Sequence, residues 1–140
     1  MNKRTTFVLL LLIAFACQSK HELVKVIEDT YQDGTPYIIR YYQTEKKEVL
    51  VKETTYYQSG KKKIEGNFKN GKREGLWRAW FPDGTLWSEG EYKEGEEMGL
   101  KTVYYENGNK FFSGKIQNGK RKGEWSFWDK EGKLLKKITY

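Results

Sequence analysis

The sequence predicts an all-β fold, an elongated and twisted antiparallel meander of stacked β-hairpin repeats in a single sheet. Three observations predict it. Glycine and aromatic residues recur together every 24 residues, turn dipeptides separate runs rich in β-branched and aromatic residues, and no window has the periodicity of a long helix. Aromatic residues form 16% of the 140 residues, which is too large a share for a disordered chain.

The first 16 residues have the pattern of a secretory signal peptide. Lys3 and Arg4 precede an apolar run over 7–16, which as a helix would span about 15 Å, half of the hydrocarbon core of a membrane. Cys17 is the only cysteine and follows Ala16, an arrangement that resembles the lipobox of bacterial lipoproteins. The resemblance implies cleavage before Cys17 and acylation of its sulfur. The alternative is a plain secretory cleavage at the same bond.

Beyond the leader, the chain divides into a diverged unit and a regular array. Residues 17–30 are expected to form a tether and a first strand, 31–55 a degenerate capping repeat, and 56–140 the repeat array. The period is plainest in one glycine column, Gly60, Gly84, Gly108 and Gly132. Strands are predicted over 22–27, 36–42, 47–57, 61–68, 76–81, 85–92, 100–105, 110–116, 124–128 and 133–139.

The turns are predicted from their dipeptides. Asp83-Gly84 is favoured in a two-residue hairpin turn, in which both positions have positive φ. Asn70-Gly71 is expected to open the other kind of turn, a longer loop that ends at Gly75. Each repeat is therefore one hairpin, and the hairpins follow one another in chain order.

This register predicts what one face of the sheet contains. Trp77 falls between Gly66 and Gly90, and Trp125 lies beside a glycine in the same way. A glycine inside a strand otherwise weakens the sheet, so we expect these glycines to leave room for the indole. Lys101 stands at the equivalent position of the middle repeat.

The opposite face is predicted to have a polar centre and an aromatic stripe. Trp80 is expected to pair with Trp87, and Tyr104 with Phe111. Contiguous exposed aromatic surface often marks a binding site, and such rings suit a glycan or an extended peptide of a protein partner. The alternative is a structural role, with the stripe covered by the N-terminal strands or forming a thin second core. The candidate partner-binding residues are Tyr56, Trp80, Trp87, Tyr104, Phe111 and Trp128.

Two loops are basic, and anionic lipid headgroups are their predicted partner. The equivalent loop of the middle repeat, 93–97, is acidic, which disfavours a continuous nucleic-acid track, so no nucleic acid is expected. The alternative is that the charges only keep the loop tips soluble. The candidate anion-binding residues are Lys69, Lys72, Arg73, Lys120, Arg121 and Lys122.

No catalytic residue, metal ligand or cofactor site is predicted. His21 is the only histidine and lies in the expected tether. Strand carboxylates could in principle act as an acid and base pair, but we interpret them as solvated or paired with basic side chains. They are Glu65, Glu89, Glu91 and Glu124.

The segment 68–77 reads Phe-Lys-Asn-Gly-Lys-Arg-Glu-Gly-Leu-Trp and resembles the MORN-type core, aromatic-x-x-Gly-x-x-x-Gly. Segments 92–101 and 116–125 repeat it, with Lys101 and Ile116 as departures. Trp77 and Trp125 stand where many MORN repeats have another glycine, as in the bacterial MORN variant. The resemblance implies stacked hairpins that act as a binding or scaffolding module, linked to membranes, lipids or self-association.

Together these features predict a non-catalytic, exported lipoprotein on a bacterial membrane that binds a protein, a glycan or a lipid headgroup. A self-associating structural repeat protein is one alternative. A second alternative is an antitoxin-like module that neutralises another protein, because some bacterial MORN-variant proteins are described as antitoxins. The export signal disfavours this alternative.

Overall fold

The computed structural model describes residues 22–140 of the chain. The predicted leader, Cys17 and His21 lie outside the described residues. Within 22–140 no helix is long and apolar enough to cross a membrane. The secondary structure of this range is ten strands: β1 (Val24–Thr30), β2 (Pro36–Tyr42), β3 (Leu50–Tyr56), β4 (Lys62–Lys69), β5 (Lys72–Trp80), β6 (Leu86–Lys93), β7 (Glu96–Tyr104), β8 (Lys110–Gln117), β9 (Lys120–Trp128) and β10 (Leu134–Thr139).

The ten strands form one open antiparallel sheet in chain order, with β1 and β10 at its two edges. The predicted fold class and each predicted strand are confirmed. The first two strands extend the sheet and do not fold over it, so they do not cover the aromatic residues of the repeats. Both faces of the sheet are therefore free of a second layer within the described part of the chain.

Two kinds of turn alternate along the meander, and their assignment from the sequence was wrong. Asn70 and Gly71 have φ values of 52° and 74°, and Lys69 pairs with Lys72 around them. They therefore form the two-residue turn that asparagine and glycine favour. The longer loop expected here does not exist, because Gly75 lies inside β5 and has a φ of 71°.

The opposite kind of turn is a three-residue loop. At 82–84 the Phe81 N–H donates to the Thr85 carbonyl (2.8 Å) and the Gly84 N–H donates to the Phe81 carbonyl (2.9 Å). Asp83 does not have positive φ. Its carboxylate accepts bonds from the N–H and hydroxyl of Thr85 at 2.8 and 2.9 Å, an arrangement typical of aspartate in turns.

These turns explain why three strands are longer than predicted. β5, β7 and β9 each continue through a glycine with positive φ, at Gly75, Gly99 and Gly123, where the register shifts. A glycine of this kind accommodates a β-bulge without ending the strand. The bulge restores the predicted register farther along, where Ile64 pairs with Ala79.

The core lies on the face that contains the two tryptophans. Trp77 pairs with Gly90 and is 5% exposed, and Trp125 is 1% exposed. A Cβ on Gly66 would lie 2.1 Å from Cδ2 of Trp77, and one on Gly114 would lie 2.2 Å from Cδ2 of Trp125. The predicted role of the strand glycines as space for the indole is confirmed.

Candidate binding surfaces

The tryptophan face, defined by the row Gly66, Trp77, Gly90, Lys101, Gly114 and Trp125, crosses the repeats at the centre of the strands. Each indole N–H donates to a carbonyl of the preceding strand, Trp77 to Asn67 (3.1 Å) and Trp125 to Lys115 (3.2 Å). The two indoles are thus held by the same contacts in the first and third repeats of the array.

Arginines from the basic loops cover these indoles. The guanidinium carbon of Arg73 lies 4.1 Å from the centroid of Trp77 and 5.4 Å from that of Tyr92. Arg121 lies 4.6 Å from the centroid of Trp125 and donates a hydrogen bond to the Tyr140 hydroxyl at 2.7 Å. Two of the six candidate anion-binding residues therefore lie over the buried indoles of the tryptophan face, and both arginines are themselves exposed.

The four lysines of these loops are exposed at one end of the sheet. Lys69 and Lys72 line an open groove together with Glu74 and Glu94, so the first basic loop shares its surroundings with carboxylates. Lys120 and Lys122 line a second groove with Tyr140. The binding of an anionic headgroup by these lysines stays a prediction.

The middle repeat has a different pair at the arginine and tryptophan positions. Glu97 stands 24 residues after Arg73, and Lys101 stands 24 residues after Trp77. Lys101 Nζ donates to Glu97 Oε1 at 2.5 Å, and both side chains are about one quarter exposed (24% and 23%). An ion pair thus replaces the pairing of a cation with an aromatic ring, at the same spacing in the chain.

The opposite face has the predicted polar centre. Arg78 pairs in register with Glu65 on one side and Glu89 on the other, and its Nε lies 3.3 Å from Glu89 Oε2. Burial would raise the pKa of the Glu65 carboxyl, but bonds from Lys52 and Lys62, both 2.9 Å long, hold that pKa below its ordinary value.

A half-buried tyrosine borders this polar centre. The Tyr104 hydroxyl donates to Glu89 Oε1 at 2.9 Å. Burial, together with this bond to a carboxylate, raises the pKa of Tyr104 above its ordinary value. Glu65 and Glu89 are thus both engaged by neighbours, in agreement with the ion-paired interpretation of the strand carboxylates. Within 22–140, no group of three or more His, Cys, Asp or Glu residues is arranged to hold a metal ion.

The aromatic stripe is not assembled as predicted. Trp80 pairs in register with Leu86, and Tyr104 pairs with Lys110, because a bulge follows each three-residue loop. Within the described residues no aromatic contact joins Trp80 to Trp87 or Tyr104 to Phe111. The remaining stripe on the polar face consists of half-buried rings bordered by lysines and carboxylates: Tyr56, Trp80, Tyr104 and Trp128.

Trp87 and Phe111 instead pack with the aromatic residues that precede the loops. The centroids of Phe81 and Trp87 are 6.2 Å apart, and those of Tyr105 and Phe111 are 4.9 Å apart. Trp87 is 47% exposed and Phe111 is 40% exposed. These two rings are the accessible aromatic surface among the six candidates, and they lie at equivalent positions of consecutive repeats.

Sequence reasoning missed a set of bonds between neighbouring hairpins. The hydroxyls of Tyr57 and Tyr105 donate to the carbonyls of Trp80 and Trp128, at 2.8 and 2.9 Å, and Tyr31 makes a similar bond one hairpin earlier. Phe81 occupies the equivalent place in the remaining repeat and has no hydroxyl to donate. The recurrence of an aromatic residue at 57, 81 and 105 was the available signal, but the turn geometry was needed to interpret it.

A comparison with family models finds a match for three segments of the sheet. The model described as MORN repeat variant matches residues 51–70, 73–94 and 121–140. These three segments of the chain are similar to MORN-variant repeats. The matches fall on the β3–β4, β5–β6 and β9–β10 hairpins, whereas the β7–β8 hairpin that contains Lys101 is not matched. The similarity suggests a repeat-based binding or structural module.

Solved structures show a likeness of fold only. A crystal structure of TarM matches this chain with a TM-score of 0.48 at 16% identity. The matched region covers 84% of this chain and 21% of the TarM chain. A mutant of S. aureus TarM in complex with Fondaparinux, alpha-GlcNAc-glycerol and UDP has a TM-score of 0.50 at 16% identity, with the same coverage. This chain spans about a fifth of the length of those proteins. No curated protein matches it.

Proposed function

We propose that the protein is a non-catalytic lipoprotein of a bacterial envelope whose MORN-variant repeats bind an extracytoplasmic partner through the accessible aromatic surface of the sheet. The observation that carries this proposal is the exposure of Trp87 and Phe111, at 47% and 40%. Large aromatic side chains are enriched in binding sites, and no second layer covers either ring in the described part of the chain.

The rigidity of the array supports a binding role. The strands pair along their length, and the indoles of Trp77 and Trp125 are fixed by glycine, arginine and a carbonyl. The exposed rings of Trp87 and Phe111 are therefore presented by a stiff frame, which reduces the entropy lost when a partner binds. Acylation of Cys17 would place this frame at a membrane surface, and several acyl chains anchor a protein stably.

Two measurements test this function. Mass spectrometry of the protein isolated from its native membrane is expected to show an N-terminal, acylated Cys17, and an unmodified chain would refute the anchor.

Capture of partners from an envelope extract is expected to fail for a variant with both Trp87→Ala and Phe111→Ala. The matched control is Leu76→Ala, which changes an exposed apolar residue elsewhere on the sheet. Unchanged capture by the double variant would refute the aromatic surface.

Self-association is the second candidate, and the open edge at β10 favours it. This strand is exposed along most of its length, with Leu134 44% and Leu135 61% exposed. Unpaired edge strands tend to pair with other chains. Sedimentation velocity over a range of concentrations tests it: association that Leu135→Lys abolishes is expected, whereas a monomer at all concentrations would exclude it.

A further inference from the structure

The tryptophan face is interrupted at its centre, and a concavity lies beside the interruption. In the first and third repeats an indole covers the strand glycine. At Gly90 the cover is instead the ion pair of Glu97 and Lys101: a Cβ on Gly90 would lie 2.6 Å from Glu97 Oε1 and 3.2 Å from Lys101 Cδ. The concavity measures about 200 Å³, and Trp77, Trp87 and Lys101 are among its lining residues.

The aromatic part of this concavity has one buried and one accessible indole. Trp77 is 5% exposed and covered by Arg73, whereas Trp87 is 47% exposed. Trp87 contacts Phe81 at a centroid separation of 6.2 Å, which orients the indole while part of it stays in solvent. An accessible indole beside polar groups can stack on a flat ligand that carries C–H groups on its face.

The polar part of the concavity is cationic. Arg73, Arg78 and Lys101 line it. Glu89 pairs with Arg78, and Glu97 partly neutralises Lys101. Among the described residues, no carboxylate oxygen lies within 4.0 Å of the Arg73 guanidinium, although other basic side chains of the sheet have such partners. The guanidinium has five N–H donors, and an ammonium has three. Three cations and two carboxylates leave a net positive site with unused donors.

We propose that this concavity binds one uronate residue of an acidic glycan, with its pyranose ring against Trp87 and its carboxylate near Arg73 and Lys101. The volume of about 200 Å³ is below the roughly 300 to 1,000 Å³ of a pocket that encloses a drug-sized ligand, so it suits one ring of a longer chain that continues through solvent. The Ser88 side chain also lines the site and can bond a sugar hydroxyl. This inference rests on the proposed binding function and names its ligand class.

Titration of the purified full-length protein tests the proposal. The acidic probes are tetragalacturonate and a hyaluronan tetrasaccharide, which supplies glucuronate. The uncharged probe is fully methyl-esterified tetragalacturonate. Binding is measured by calorimetry and by tryptophan fluorescence. Saturable binding of at least one acidic probe is expected. The affinity for the ester is expected to be lower by about tenfold or more, because the ester has lost the charge. Binding of neither acidic probe would overturn the proposal, and equal binding of the ester would overturn its ionic part.

Variants locate the site. Trp87→Ala and Lys101→Met are each expected to weaken binding of the acidic probe by about tenfold. The matched controls are Leu100→Ala, an exposed apolar residue on β7, and Lys115→Met, an exposed lysine on β8. Both are expected to bind as the unchanged protein does. Unchanged binding by Trp87→Ala, with its circular dichroism and melting temperature preserved, would overturn the assignment.

The outcome is separable from that of the proposed function. The titration needs neither the lipid nor a membrane, so absent uronate binding by a chain with acylated Cys17 would remove the ligand and keep the anchor. A phosphorylated sugar or benzoate that binds in place of the uronates would show an anion site of a different class and would also refute the proposal.

Discussion

The guanidinium carbon of Arg73 lies 4.1 Å from the ring centroid of Trp77, and the indole beneath it is 5% exposed. The same pairing recurs 48 residues later at Arg121 and Trp125, with a distance of 4.6 Å. A single-layer sheet has no second layer to shield a core. Here a long basic side chain serves that purpose, because its aliphatic stem and planar head cover apolar surface while the charge keeps contact with water.

Removal of the arginine cover should destabilise the array. Arg73→Ala is expected to lower the free energy of unfolding by about 1 to 2 kcal/mol, through the loss of both the cation–π contact and the stem that covers the indole. Urea unfolding followed by circular dichroism measures it. Lys69→Ala, on the same hairpin but exposed, is the control and is expected to change little. Equal stability of the two variants would contradict the covering role.

The strand glycines should differ in how well they tolerate a methyl group. Gly66→Ala would place Cβ 2.1 Å from the rigid indole of Trp77, and a cost of about 3 kcal/mol is expected. Gly90→Ala would meet the carboxylate of Glu97, which can rotate away. Because alanine is also favoured over glycine within a strand, this variant should be close to neutral. Thermal melts of the two variants compare them directly, and similar losses at both sites would show that the indole is not the cause.

The middle repeat should tolerate the arginine and tryptophan of its neighbours only when both residues are introduced together. Glu97→Arg alone would bring two cations together, and Lys101→Trp alone would leave a carboxylate beside the indole. The double variant restores the arginine and tryptophan pair over Gly90. We expect both single variants to be less stable than the double one, with a coupling energy of about 1 kcal/mol or more in a double-mutant cycle. Additive effects would contradict the equivalence of the repeats.

A hydroxyl should repair the missing bond between two hairpins. Phe81→Tyr is expected to raise the free energy of unfolding by about 1 kcal/mol. The new hydroxyl can donate to a carbonyl of the next hairpin, as the Tyr105 hydroxyl donates to the Trp128 carbonyl. Tyr105→Phe should lower it by a similar amount. Chemical denaturation of both variants measures the pair, and a loss of stability in Phe81→Tyr would show that the loops are not interchangeable.

One turn has an unfavourable residue. Glu94 has a φ of 52° at the place where the equivalent turns have Asn70 and Asn118. Asparagine adopts positive φ more readily than glutamate. Glu94→Asn is therefore expected to stabilise the protein by about 0.5 to 1 kcal/mol, and Asn118→Glu to destabilise it by a similar amount. The melting temperatures of the two variants are expected to shift in opposite directions. Shifts in the same direction would contradict the preference for asparagine at this turn position.

The paired strands were largely predictable, but the turns were not. Alternation and the 24-residue recurrence located ten strands and placed Trp77 between Gly66 and Gly90, because both signals are local or strictly periodic. The turn lengths were assigned in reverse. Asp83-Gly84 and Asn70-Gly71 are similar dipeptides, and which of them forms a two-residue turn depends on the bulge at Gly75 and on the pairing of the strands that flank it.

The all-β meander, the hairpin repeat, the glycine space under each tryptophan and the break in the pattern at Lys101 all follow from periodic or local features of the amino-acid sequence. Which aromatic residues share a surface depends on how the strands pair in the folded sheet. A bulge after each three-residue loop moves Trp87 and Phe111 away from Trp80 and Tyr104, and a one-residue shift of this kind changes the face on which a strand side chain lies. Two arginines that were predicted to lie in anion-binding loops instead lie at the start of β5 and β9 and cover the indoles, because a sheet without a second layer is covered by side chains of its own strands.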